Sequence, residues 1–223
     1  MPKAIYAFLM ACRNPAESAA DARLFALTIA ARAKEPREAL STTLGMAPEM
    51  LMDILARYFP YTLQSKSESA CLKAHLNALA GEPFLCRCSS HQVEPIGEDR
   101  EAELADLRCL LLDHRALGVE EETWFAHMVA AACLRPDHLW QDLGFESRAD
   151  VSDLLARHFP TLHGKNGNNM KWKKFFYKQL CDRAEVSLCQ APSCAVCNDY
   201  HNCFGPEEAG GWALLGNGRA KAG

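Results

Sequence analysis

No apolar run in the chain approaches the roughly 20 residues of a membrane span, which argues against a helical integral membrane protein. Stretches that alternate apolar and polar residues are almost absent, which argues against a β architecture. Positive charge is not in excess either: 24 Lys and Arg against 28 Asp and Glu leave a net charge of −4. The whole-chain field therefore pulls towards neither nucleic acid nor an anionic membrane. Ser-His-Asp and Cys-His arrangements are missing, as are GxGxxG and GxxxxGK followed by Ser or Thr. Nucleophilic catalysis and nucleotide use thus have no support, and the expectation is a protein that is not an enzyme.

What remains is an ordinary globular composition, 49% hydrophobic and 23% charged over 223 residues, enough for one sizeable core or two small ones. Cysteine is the exception. There are eleven, an odd number, and Cys12, Cys71, Cys86, Cys88, Cys109, Cys133 and Cys181 are scattered in a way that no disulfide framework explains. Cys109 and Cys133 lie in apolar helical stretches and read as small buried hydrophobes. The run from Ala4 to Ala11, ending at Cys12, superficially resembles a secretory or lipoprotein signal. It is short, its charged region is a single lysine, and secretion would expose eleven thiols to oxidation. A cytoplasmic protein is expected.

Apolar residues recur at three and four residue spacing through most of the chain before residue 185, which predicts an all-α fold. Helices are expected over 18–34, 47–58, 68–80, 98–117, 120–134, 136–143, 148–158 and 170–183. Ser147 and Asp150 form a capping-box pattern, and Gly81 and Gly118 are plausible stops. An internal repeat runs through these helices. Leu24-Phe25-Ala26, Pro36 and Leu55-Ala56-Arg57-Tyr58-Phe59-Pro60 return as Trp124-Phe125-Ala126, Pro136 and Leu155-Ala156-Arg157-His158-Phe159-Pro160, an offset of 100. Leu44-Gly45 answers to Leu143-Gly144 at an offset of 99. Two copies are fewer than a solenoid requires, so a bundle of two related helical halves is expected. The boundaries are 1–82 for the N-terminal half, 83–97 for a linker, 98–184 for the C-terminal half, 185–208 for a Cys-rich segment and 209–223 for a disordered tail. Cys86, Cys88 and His91 in the linker are candidates for a second metal site, although no fourth ligand is in register.

Cys189, Cys194, Cys197 and Cys203 carry the chemistry, spaced C-x4-C-x2-C-x5-C. So short a segment cannot bury four thiols separately, and four thiolates complete a tetrahedral ligand set. The spacing mildly favours an iron–sulfur cluster, of 4Fe-4S or 3Fe-4S type, because structural zinc sites usually pair two short knuckles across a longer insert. Zinc stays open as the rival. His201 reads as a bystander or as a donor behind the ligands. Upstream, Lys165, Lys171, Lys173, Lys174 and Lys178 occupy a stretch without Asp or Glu. They form either a solvated face on a helix turning Trp172, Phe175, Phe176 and Leu180 inward, or a positive patch for an anionic centre or partner.

Met170-Lys171-Trp172-Lys173-Lys174-Phe175-Phe176-Tyr177-Lys178, followed by the four cysteines and Phe204-Gly205-Pro206-Glu207-Glu208, resembles the NifQ family of nitrogen-fixation accessory proteins. Glu103-Leu104-Ala105-Asp106-Leu107-Arg108 and His138-Leu139-Trp140-Gln141-Asp142-Leu143-Gly144 add to the likeness, which covers about residues 101 to 208 well. The resemblance implies an iron–sulfur protein that takes up molybdenum and donates it for assembly of the nitrogenase iron–molybdenum cofactor. It also implies Cys189, Cys194, Cys197 and Cys203 as cluster ligands, with the nitrogenase iron protein and the cofactor scaffold complex as partners. Two other functions remain open: a zinc-stabilised helical interaction module, and an iron–sulfur electron-transfer protein.

Overall fold

The computed structural model describes residues 2–33, 39–62, 76, 98–186, 197 and 200–207. Every regular element among them is helical: α1 (Pro2–Ala11), α2 (Ala19–Arg32), α3 (Leu40–Thr43), α4 (Pro48–Tyr58), α5 (Glu98–Leu112), α6 (Glu120–Cys133), α7 (Leu139–Asp142), α8 (Arg148–His158), α9 (Pro160–Lys165), α10 (Trp172–Arg183) and α11 (Tyr200–Phe204). The all-α expectation holds. Of the helix expected at 68–80 only Leu76 is described, in helical conformation. Gly81, the linker, the second-site candidates Cys86, Cys88 and His91, and the tail lie outside the described residues.

The chain divides into two compact units, one holding α1–α4 together with Leu143–Glu146, the other α5–α11. In the first unit α2 is the central helix. Nearly all of Asp21–Arg32 is buried, as expected of a helix that is apolar on every side. Its buried Thr28 hydroxyl is satisfied within the helix by donating to the Leu24 carbonyl at 3.1 Å. The first turn is capped by Ser18 Oγ, which accepts from Asp21 N at 3.2 Å. Phe25 of α2 meets Tyr58 of α4 with ring centroids 4.9 Å apart. The last carbonyls of α4 are satisfied by Asn14, whose backbone N–H donates to Tyr58 O at 2.8 Å and whose Nδ2 donates to Arg57 O at 3.1 Å.

Closely related local geometry recurs in the second unit. Phe125 of α6 meets His158 of α8 at 4.7 Å, and Ala116 N donates to His158 O at 3.1 Å. Phe59 and Phe159, which follow α4 and α8, share φ −136° and ψ 54°. Both precede a proline, whose ring excludes the helical region for the residue before it, so each helix stops at the same place in its pattern. In the second unit Pro160 then starts α9 as its first helical residue. Gly45 and Gly144 both have positive φ, 66° and 73°.

The apolar stripe of α5 buries Leu104, Leu107, Leu110 and Leu111. This corrects the reading of Cys109, which falls off the stripe and is exposed; Cys133 is buried as expected. The helix expected to reach residue 117 ends at Leu112, because the segment after it is bound elsewhere. Glu122, in the first turn of α6, accepts from the N–H groups of Ala116 and Leu117 through Oε1, both at 2.8 Å, and from Gly118 and Val119 through Oε2 at 2.6 and 3.0 Å.

On the α10 side of this unit Tyr177 donates its phenol hydrogen to Glu103 Oε1 at 2.5 Å. Burial, followed by that bond, pushes the phenol well above its ordinary range, and burial pushes the Cys133 thiol from 9.0 up to about 12. Both groups are acids held neutral in the fold, with folded values above the unfolded ones. The stability that Cys133 confers is complete below pH 9.0 and is lost as pH rises towards about 12, while the tyrosine's is lost at still higher pH. Urea midpoints should therefore stay level up to pH 9.0 and fall above it, less steeply in Cys133→Ala; a midpoint that stays level through pH 11 would contradict this.

Candidate metal centre

Helix α10 is built around Trp172, Phe175 and Phe176, which are buried, while Leu180 is half-buried. Trp172 stands edge-on to Phe175, centroids 5.7 Å apart, and stacks at an angle on His163 of α9 at 5.6 Å. The lysines of this region have separate roles. Lys173 reaches inward to buried Asp142 at 2.5 Å and to the Arg135 carbonyl at 2.6 Å, which makes it part of the scaffold. Lys178 pairs with Asp182 one turn on at 2.8 Å. Lys165 lies 3.3 Å from His114 Nε2; burial, then the charges of Lys165 and Arg183, hold that imidazole below its ordinary value. Only part of the sequence patch is therefore an open positive face.

The N-terminus of α10 is different. Lys171 is its N-cap residue, no acidic residue occupies the first turn, and Lys174 is exposed there. The chain returns to this end after the cysteine segment. Cys197 O accepts from Tyr200 N at 3.2 Å as the chain turns into α11, and Cys203 O, within α11, accepts from Lys171 N at 2.8 Å. Lys171 Nζ donates to His201 O at 3.5 Å. Cys197 and Cys203 are both half-buried and neither is in a disulfide. Tyr200 and Phe204 stack with centroids 4.6 Å apart, and His201 is exposed. Cys189 and Cys194 lie outside the described residues, and among the described ones no three His, Cys, Asp or Glu side chains gather as a metal site.

Most of α2, all of α3 to α11 and the whole four-cysteine segment fall inside one match: residues 24–205 fit the family model NifQ. The chain belongs to the NifQ family. Protein NifQ of Azotobacter vinelandii is 44% identical over 154 residues, which are 67% of this chain and 79% of that protein. The Protein NifQ homolog of Sinorhizobium fredii (strain NBRC 101917 / NGR234) is 49% identical over 106 residues, 48% of this chain and 46% of the relative. Protein NifQ of Rhodobacter capsulatus is 39% identical over 111 residues, 50% of this chain and 59% of the relative. No solved structure matches the chain. The NifQ match begins at residue 24 and so reaches well before residues 101 to 208, the range the sequence likeness covered well.

The donor chemistry at α11 fits a thiophilic centre. Cys197 and Cys203 offer soft sulfur at half-buried positions, while Glu207, the described carboxylate that follows them, is engaged by Arg148 at 2.5 Å. Sequence reasoning missed Arg148 and the docking role of Lys171. Arg148 did leave a signal. It is the first residue of α8, where a cation opposes the helix dipole, and such a placement asks for a partner elsewhere.

Proposed function

We propose that this chain is a molybdenum carrier rather than an enzyme. Its two related helical halves support a C-terminal segment in which Cys189, Cys194, Cys197 and Cys203 hold an iron–sulfur cluster of 4Fe-4S or 3Fe-4S type. Working in the cytoplasm, it donates molybdenum for assembly of the nitrogenase iron–molybdenum cofactor, with the nitrogenase iron protein and the cofactor scaffold complex as partners. The observation that carries this reading is the 2.8 Å hydrogen bond from Lys171 N to Cys203 O. It docks the last cysteine against the positive end of α10, beside Lys171 and exposed Lys174, and a positive helix end favours an anionic thiolate centre. Bridging sulfides in such a cluster are soft donors that retain molybdenum where oxygen ligands would not discriminate it. The half-buried thiols of Cys197 and Cys203 leave a partner access to the segment.

Anaerobic purification with metal analysis and a visible spectrum tests the proposal. Brown protein containing iron, sulfide and substoichiometric molybdenum is expected. Cys197→Ala and Cys203→Ala should each lose most of both metals while far-UV circular dichroism stays unchanged. Colourless protein carrying one zinc, or full metal content in either variant, would overturn the reading. Reversible redox cycling with no molybdenum uptake would point instead to electron transfer.

A further inference from the structure

Arg148 joins two separate pieces of chain to α8. Its Nη1 donates to Glu207 Oε1 at 2.5 Å, and its Nη2 donates to Met170 O at 2.7 Å, to Asn169 Oδ1 at 3.0 Å and to Asn169 O at 3.3 Å. The guanidinium carbon stands 5.6 Å from the centre of the Trp172 ring. The Glu207 side chain is only 8% exposed, so without the guanidinium its carboxylate would be a buried, unpaired charge. Lysine cannot substitute, because a single ammonium group does not span acceptors arranged around a planar fork.

The two pieces Arg148 joins flank one residue of the metal segment. Upstream in space is the turn 169–171, in which Asn169 is left-handed at φ 57°. Asn166 brackets the turn, Nδ2 donating to Met170 O at 2.9 Å and Oδ1 accepting from Met170 N at 2.8 Å. Its last residue, Lys171, supplies the N–H that holds Cys203 O. Downstream is Glu207, four residues past Cys203. Between Cys203 and Glu207 the chain closes tightly: Gly205 N donates to His201 O at 2.8 Å, and a Cβ on Gly205 would lie 2.4 Å from that same oxygen. Only glycine permits this closure.

We infer that Arg148 is a positioning residue for the Cys203 end of the ligand set, fixing the carbonyl of that cysteine through the 169–171 turn and the chain just past it through Glu207, before any metal arrives. The inference rests on the reading of Cys203 as a ligand. Its mechanism is indirect: Arg148 holds Glu207 and the 169–171 turn in register, and those two fix α11.

Two measurements on the full-length chain test it. In metal-free protein, alkylation of Cys203 by iodoacetamide, followed by peptide mass, should be several-fold faster in Arg148→Gln than in wild type. After anaerobic reconstitution with ferrous iron and sulfide, Arg148→Gln should lose iron to a chelator roughly ten-fold faster. Its visible-region circular dichroism should also change while the far-UV spectrum does not. Arg148→Lys should follow Arg148→Gln, and Glu207→Gln should show part of both effects. Wild-type rates at Cys203 and wild-type iron loss in Arg148→Gln would overturn the inference. If Arg148→Gln fails to fold, Glu207→Gln decides in the same way. A wild-type chain that takes up iron at none of its cysteines would refute the ligand reading, while Cys203 alkylation still decides the anchoring separately.

Discussion

Alanine at Gly144 should lower the melting temperature far more than alanine at Gly118. At φ 73° an added Cβ is strained in its own backbone. It would also stand 2.5 Å from the Ala31 Cβ and 3.0 Å from the Leu27 carbonyl oxygen of α2. Leu27 is fully buried, and the oxygen belongs to the backbone of the central helix, so neither neighbour can retreat without moving that helix. Overpacking of this kind together with left-handed strain costs about 3–5 kcal/mol, which lowers the melting temperature by on the order of 10 °C in a protein of this size. Gly118 is the control. Its φ is 75°, yet nothing lies within 4 Å of its Cβ position, so Gly118→Ala should cost only the backbone strain, about 1 kcal/mol. Thermal melts of the two variants decide the matter, and equal shifts would refute the packing argument.

Glu122→Gln is the second large effect. The native carboxylate is 1% exposed and its two oxygens accept four backbone N–H groups between 2.6 and 3.0 Å. Glutamine keeps one oxygen and puts an NH2 group where the other stood, so two part-buried backbone N–H donors would face a third donor. Losing charge-assisted bonds and stranding donors costs roughly 3 kcal/mol. The expected signature is a lower urea midpoint with faster hydrogen exchange confined at first to the amides of 116–119. An unchanged midpoint would show that water replaces the carboxylate without loss.

That same clamp explains one boundary the sequence misled on. Leu110, Leu111, Leu112 and Leu117 continue an apolar pattern, so a helix to residue 117 was the natural reading, but Glu122 binds the N–H groups that further helix would have used. Leu117 is left 82% exposed. The long helices were legible where periodicity and end signals agreed. The span 148–158 was read at its observed limits because Ser147 precedes it, with its N–H donated to Asp150 Oδ2 at 3.0 Å, and Phe159-Pro160 ends it. Helices of four to six residues, α3, α9 and α11, were missed, since one turn contains no period to detect, and so was the ten-residue α1, whose apolar run was weighed only as a signal-like segment. Pro160 as a first helical residue, and Gly205-Pro206 as a stop, were the signals that could have revealed two of them.

The candidate site was legible as a list of cysteines, because four thiols in fifteen residues need no tertiary structure to be noticed. What holds the segment in place was not. The Arg148–Glu207 pair spans 59 residues and the bond from Lys171 to Cys203 involves only main-chain atoms, which no side-chain pattern can report. The lysine run likewise looked uniform until Lys173 was found against Asp142.

Cys133 bears on how a chain with eleven cysteines could be loaded with metal correctly. Metals and electrophiles select the thiolate. Burial holds its thiol well above the ordinary value, so Cys133 stays protonated at neutral pH. Burial thus makes it a poor competitor for any incoming metal, a form of selectivity exercised away from the candidate site, by silencing a decoy.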